Sequence, residues 1–144
     1  MALPLVNVVV LGARDIEGLT KFYEKLGWPL VSDSELRLFE LRGGALALFP
    51  IERLAEDARA SVESVAGGIR FAMEVLVEER DQVDDLARRV ELAGGHVTKA
   101  PVDAEFFEGR SSYVADPEGN FFEIAWAPAD NIVVAAARRA AAQA

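Results

Sequence analysis

The apolar positions of the chain change period several times, and each change marks an element. Val6 to Leu11 is a run of mostly β-branched residues and predicts a strand. From Asp15 to Leu26, Ile16, Leu19, Phe22, Tyr23 and Leu26 recur at three- and four-residue spacing. That predicts a helix capped by Asp15, with Gly27 just past its end. Trp28–Ser32 predicts a short strand, and Leu36–Leu41 and Ala45–Phe49 two more, turned at Gly43-Gly44. The order then restarts. Ile69–Val77 alternates as a strand, and Asp81–Leu92 carries Val83, Leu86 and Val90 behind an acidic first turn, as a helix does. Gly94-Gly95 ends that helix, and His96–Lys99 is a short strand. Ser111–Ala115 and Phe121–Trp126 form a hairpin around Asp116-Pro117-Glu118-Gly119-Asn120.

The two halves can be laid over each other. Gly43–Phe49 matches Gly119–Ala125 without a gap, and Leu26-Gly27 matches Ala93-Gly94. The match is one of element order and turn placement rather than of letters. It predicts one α+β domain over 1–128, with modules at about 5–50 and 69–127. Residues 51–68 are a linker with a helical stretch, and 129–144 an alanine-rich helical tail. Ile132, Val133 and Val134 suit docking of the tail on its own domain or on a partner subunit.

Composition narrows the class without choosing a function. The 144 residues are 51% hydrophobic and 27% charged, a globular balance with enough chain for one sizeable core. No apolar run reaches the roughly 18 residues that span a bilayer, and the start lacks the basic segment of a signal peptide. There is no cysteine, which excludes disulfides and thiolate chemistry and, with the rest, favours the cytoplasm. A net charge of −9 argues against a nucleic-acid partner and suits a cationic small molecule. It equally describes a solvated acidic surface.

Three patterns coincide: Leu11-Gly12-Ala13-Arg14-Asp15 followed by Phe22-Tyr23 and Leu26-Gly27-Trp28; Asp116-Pro117-Glu118-Gly119-Asn120-Phe121-Phe122-Glu123; and the repeated strand–helix–strands unit. Over residues 5–127 the chain resembles the vicinal oxygen chelate superfamily of glyoxalase I, bleomycin-resistance proteins and extradiol dioxygenases. The resemblance implies two βαβββ modules, whose curved mixed sheets enclose a cup with helices outside. It also implies a homodimer. In metal-dependent members it implies one divalent ion, held by His, Gln or Glu on the first and last strand of each module.

Carried over, those positions fall at Val8, Ala47, Arg70 and Glu123. Val8 and Ala47 cannot coordinate a metal, and Arg70 is a fixed cation that opposes one. Glu123 alone is retained. Glu74, on the same strand face as Arg70, is a second candidate, and the single histidine, His96, starts a different strand. The expectation is no tightly bound metal or other cofactor, with a weakly held divalent ion as the alternative.

Alternation places Glu123 with Phe121 and Ala125, and turns Phe122, Ile124 and Trp126 towards the helices. The cup is then largely apolar, with Arg70 and Glu123 as its polar points. The candidate ligand-binding set is Val8, Ala47, Phe49, Arg70, Phe107, Tyr113, Phe121 and Glu123. Against this stands an Arg70–Glu123 ion pair that closes the site. Phe106-Phe107-Glu108-Gly109-Arg110 is either a pocket rim or one core Phe beside one at a dimer contact. The side faced by Tyr113 depends on the hairpin loop. Three functions follow. The first is a small-molecule-binding protein without a tightly held metal, acting in sequestration or resistance. The second is a lyase, isomerase or dioxygenase using Glu123 as acid/base or with a weakly held ion. The third is a structural or regulatory dimer with a plugged cup.

Overall fold

The structure, a computed structural model, describes residues 8–59, 61–63 and 71–143. The chain divides into two compact units, Met1–Gly67 and Gly68–Ala144. The first holds β1 (Val8–Ala13), α1 (Ile16–Lys25), β2 (Leu30–Asp33), β3 (Arg37–Leu41), β4 (Gly44–Pro50) and α2 (Ile51–Ala58). The second holds β5 (Ala72–Leu76), α3 (Gln82–Leu92), β6 (His96–Asp103), β7 (Arg110–Ala115), β8 (Phe121–Trp126) and α4 (Ile132–Gln143). Each sheet has four strands, in the orders β1-β4-β3-β2 and β5-β8-β7-β6. In each, the first strand pairs with the last in parallel and the remaining pairs are antiparallel. This is the α+β arrangement of repeated strand–helix–strands units that the residue pattern predicts.

The helices form where periodicity and caps agree. Asp15 accepts the Gly18 N–H at 3.0 Å and starts α1. Gly27 and Gly94, at φ +86° and +105°, let the chain leave α1 and α3 in a conformation that a Cβ disfavours. Leu19, Phe22 and Tyr23 of α1 are buried with Phe39, Leu46 and Leu48 of the first sheet. Tyr23 lies 5.0, 4.9 and 5.8 Å from the rings of Phe22, Trp28 and Phe39. In the second unit, Val83, Ala87 and Val90 of α3 are buried with Val114, Phe122 and Ile124. Each large side chain so buried contributes about 1.5–3 kcal/mol.

An arginine clamp repeats in both units. Arg37, opening β3, pairs with Glu17 in the first turn of α1, with Asp33 at the end of β2, and with the Ser34 carbonyl. Its Nε lies 2.8 Å from Asp33 but outside hydrogen-bond geometry, so that contact is a pure ion pair. Arg110, opening β7, makes hydrogen bonds of 2.6 and 2.7 Å to Asp84 in the first turn of α3. It also reaches Asp103, at the end of β6, at 3.5 Å. Strand, helix and neighbouring strand are tied at one corner of each unit.

Several boundaries differ from the residue pattern. β1 continues through Gly12 and Ala13, and Val6 and Asn7 lie outside the described residues. β6 runs to Asp103 rather than Lys99. It passes Pro101, which has no N–H to donate, by a register shift between Lys99 and Val102. α2 is the helical stretch of the linker. Of the strand expected at 69–77, Ala72–Leu76 is ordered as β5, and residues 69 and 70 lie outside the described set.

Candidate functional site

Pleating gives each sheet two faces. In the second unit the helix face carries Val114, Phe122 and Ile124, all fully buried. The opposite face receives every other residue: Glu74 and Leu76 of β5, Phe121, Glu123 and Ala125 of β8, Ser111 and Tyr113 of β7. The ladders put one row straight across the sheet. Glu74 is the Cα partner of Glu123, Glu123 of Tyr113, and Tyr113 of Lys99. Two carboxylates, a phenol and an ammonium therefore stand side by side, in that order, on four strands.

Hydrogen bonds fix part of this row. Ser111, only 3% exposed, donates its hydroxyl to Glu123 Oε2 at 2.6 Å. Burial pushes the Tyr113 phenol above its usual range, followed by the Glu123 charge, a hydrogen bond to that group, and the Glu74 charge. Glu74 is exposed on the edge strand of the sheet. Partial burial, then the facing Glu123, raises its pKa above the ordinary carboxylate range.

The equivalent row of the first unit is Val10, Ala47, Leu38 and Ser32. It holds no titratable group. Further along that face, α2 packs over Gly12, where a Cβ would meet Ile51 Cγ1 at 2.9 Å. The second unit has Leu76 at the same ladder position.

The predicted residues therefore sort into groups. Tyr113, Phe121 and Glu123 come together on one face, joined by Glu74. Val8, Ala47 and Phe49 share the corresponding face of the first unit, Val8 exposed and Ala47 buried. Phe49 also lines a surface cavity with Arg53, Glu56, Asp57 and Arg59. Phe107 packs against Gly109, where a Cβ would lie 2.7 Å from its ring, and Phe106 is 93% exposed. Arg70, with its possible pairing to Glu123, lies outside the described residues. The ladder sets Glu74 beside Glu123, and Val10 rather than Val8 beside Ala47. Ser111 and Lys99 are the additions that the residue pattern passed over. Alternation from Tyr113 is the signal that would have found Ser111.

Residues 5–124 match the model of the Glyoxalase/Bleomycin resistance protein/Dioxygenase superfamily. The chain belongs to this superfamily. Among solved structures it is similar to a glyoxalase-related enzyme from Fulvimarina pelagi, with 33% identity over 88% of this chain and 90% of that one, at a TM-score of 0.78. A glyoxalase/bleomycin resistance protein/dioxygenase family enzyme from Burkholderia phytofirmans PsJN shares 22% identity over 85% and 98% of the two chains, at 0.75. A lactoylglutathione lyase from Agrobacterium tumefaciens shares 21% over 87% and 95%, at 0.63. At those identities the last two show the fold alone. No curated protein matches the chain.

The divalent ion implied for metal-dependent members of the superfamily does not fit the donors present. Such an ion needs three or four N/O ligands converging on a point. Among the described residues no three of His, Cys, Asp and Glu come together. Glu74 and Glu123 supply two carboxylates, and their equivalents in the first unit are Val10 and Ala47. What the row offers chemically is a doubly acidic edge beside apolar Leu76, Ala125 and Phe121. No helix among the described residues is long and apolar enough to cross a membrane.

Proposed function

We propose that this superfamily member binds a small organic cation on the open face of its second sheet, without a tightly held metal ion. The observation that carries the reading is the direct pairing of Glu74 with Glu123 on adjacent strands. Two facing carboxylates repel each other, and the first unit keeps the same ladder with Val10 and Ala47, so the fold does not require them. A positive group beside the pair relieves the repulsion. Half-buried Leu76 and Phe121 supply an apolar surface for the rest of the molecule. The net charge of −9 favours approach of a cation.

The test is a thermal-shift and calorimetric series with benzamidinium and phenethylammonium, against neutral benzamide and anionic benzoate. Stabilisation should grow with the logarithm of cation concentration above Kd, and vanish in the Glu74→Gln/Glu123→Gln double variant. Equal response to benzoate would overturn the reading. So would a stoichiometric divalent ion that survives purification and is lost on Glu123→Ala.

A second reading is favoured by the raised pKa of Glu74. A carboxyl displaced towards neutrality can carry a proton, so the same face could serve acid–base chemistry on a bound substrate. A pH–rate limb that moves on Glu74→Gln would mark that activity.

A further inference from the structure

We propose that the two carboxylates divide the work. Glu74 meets the bound cation directly, while Glu123 is a fixed counter-charge set in place by Ser111 and Tyr113 as positioning residues. This rests on the cation-binding reading above. It reverses the emphasis of the residue pattern, which singled out Glu123.

Three observations carry it. First, Glu123 is already engaged. It is half-buried, and the nearly inaccessible Ser111 donates its hydroxyl to Oε2 at 2.6 Å. Tyr113 is its Cα partner on the other side. A carboxylate held by neutral donors loses its freedom to turn towards a ligand. Secondly, Glu74 is exposed, and among the described residues it has neither hydrogen bond nor ion pair. Its acceptor oxygens remain available. Thirdly, the row is polarised. Lys99 stands on the β6 edge and Glu74 on the β5 edge, with Tyr113 and Glu123 between. At about 4.8 Å per strand step, Lys99 lies roughly 14 Å from Glu74, beyond a physiological Debye length. A cation at Glu74 feels both carboxylates at short range and the ammonium hardly at all. A cation at Tyr113 would face Lys99 directly.

The occupant this geometry selects is a single ammonium or amidinium on a flat or short apolar body. The charge sits at the β5 edge, and the body lies along half-buried Leu76. A dication would meet one free carboxylate only.

The experiment is a comparison of single variants, with benzamidinium as the probe. Glu74→Gln should weaken binding roughly tenfold or more, as loss of a direct charge-assisted contact does. Glu123→Gln, which removes a charge without removing the contact, should weaken it about threefold. Ser111→Ala should give a similar small loss at nearly unchanged Tm, and Ser111→Thr should restore affinity. In protein carrying carboxyl-labelled glutamate, titration with benzamidinium should shift the Glu74 Cδ resonance more than that of Glu123. Equal or greater loss in Glu123→Gln, or the larger shift at Glu123, overturns the division of labour while leaving cation binding intact. Failure of the wild-type protein to bind either benzamidinium or phenethylammonium overturns the binding reading, and this inference with it.

Discussion

The two units share a skeleton and differ on one face. Both run strand, helix, then three strands, with the outer strand pairing in parallel to the last. Both bury aliphatic and aromatic residues beneath the helix, and both lock a corner with an arginine, Arg37 or Arg110. On the opposite face the row Val10, Ala47, Leu38, Ser32 in one unit answers Glu74, Glu123, Tyr113, Lys99 in the other. The helix face must exclude water for the unit to stand, so its chemistry is held constant. The other face is covered only in part, with Ala47 and Ala125 buried but Val10 and Glu74 exposed. One copy kept it inert and laid α2 across Gly12, whereas the other charged it and placed Leu76 where a helix would have to seat. Shared features therefore report on folding, and the differing ones carry the function proposed above.

Substitutions can break or sharpen this contrast. The largest effects belong to the shared face. Leu46 and Phe122 occupy the same ladder position and are both fully buried. Leu46→Ala and Phe122→Ala should each cost about 3–4 kcal/mol in denaturant unfolding. If one were silent, the units would not be energetic equivalents.

Next comes the seat of α2. Gly12→Leu copies the second unit's residue into the first and drives a side chain into Ile51 and Leu54. About 2 kcal/mol of stability should be lost, with amide-exchange protection falling in α2 before the sheet.

The clamps follow. Arg37 has 13% of its side chain exposed and Arg110 23%, with mostly solvated carboxylate partners. Arg37→Ala should cost about 1–2 kcal/mol and Arg110→Ala about 1 kcal/mol. Hydrogen bonds from Arg110 hold Asp84 below the usual carboxylate range. For a lowered carboxylate, the stabilisation is present above its unfolded value, near pH 3.9. It is lost as pH falls through the folded value. The difference between Arg110→Ala and wild type should therefore close in chemical-denaturation series taken down towards pH 2.

The smallest effect belongs to Glu74, and its sign is opposite. Its folded pKa is raised, so its contribution is most favourable at low pH and is lost as pH rises through the folded value. Glu74→Gln should stabilise the protein at pH 7 by less than about 1 kcal/mol, since the group is solvated. The gain should disappear on acidification. A destabilised Glu74→Gln at pH 7 would mean that the carboxylate is structural, and the functional reading of the differing face would lose its footing.

The skeleton was legible because two periods and a few glycines specify it. Alternation wrote the strands, three-and-four spacing wrote α1 and α3, and Gly27 and Gly94 closed them. The site was only half legible. Parity put residues 70, 72 and 74 on one face of a strand, but an apolar run has no mark for where its ladder starts. The sequence set Arg70 opposite Glu123, a pairing that lies outside the described residues, and did not mark Glu74 as the ladder partner of Glu123. Tyr113 had no decidable side, because the turn between Asp116 and Asn120 sets which residue faces Glu123. The Asp116–Asn120 hydrogen bonds close that turn so that Ala115 meets Phe121, and Tyr113 follows two residues on. Ser111 went unnoticed because a lone serine in a strand carries no pattern of its own.

The parallel ladder between β5 and β8 has one more implication. Spacing between two like charges is usually thought of as a surface property, adjustable by whatever surrounds them. Here it is an output of the hydrophobic core. Phe122 and Ile124 sit beneath the helix, on the far side of the sheet from Glu123, which they flank in sequence. They act as the vernier that aligns Glu74 with Glu123. A one-residue slip there would bury Glu123 and turn Phe122 to the open side. An engineer wishing to retune the charge pair could therefore leave every polar residue alone and repack the greasy side of the sheet.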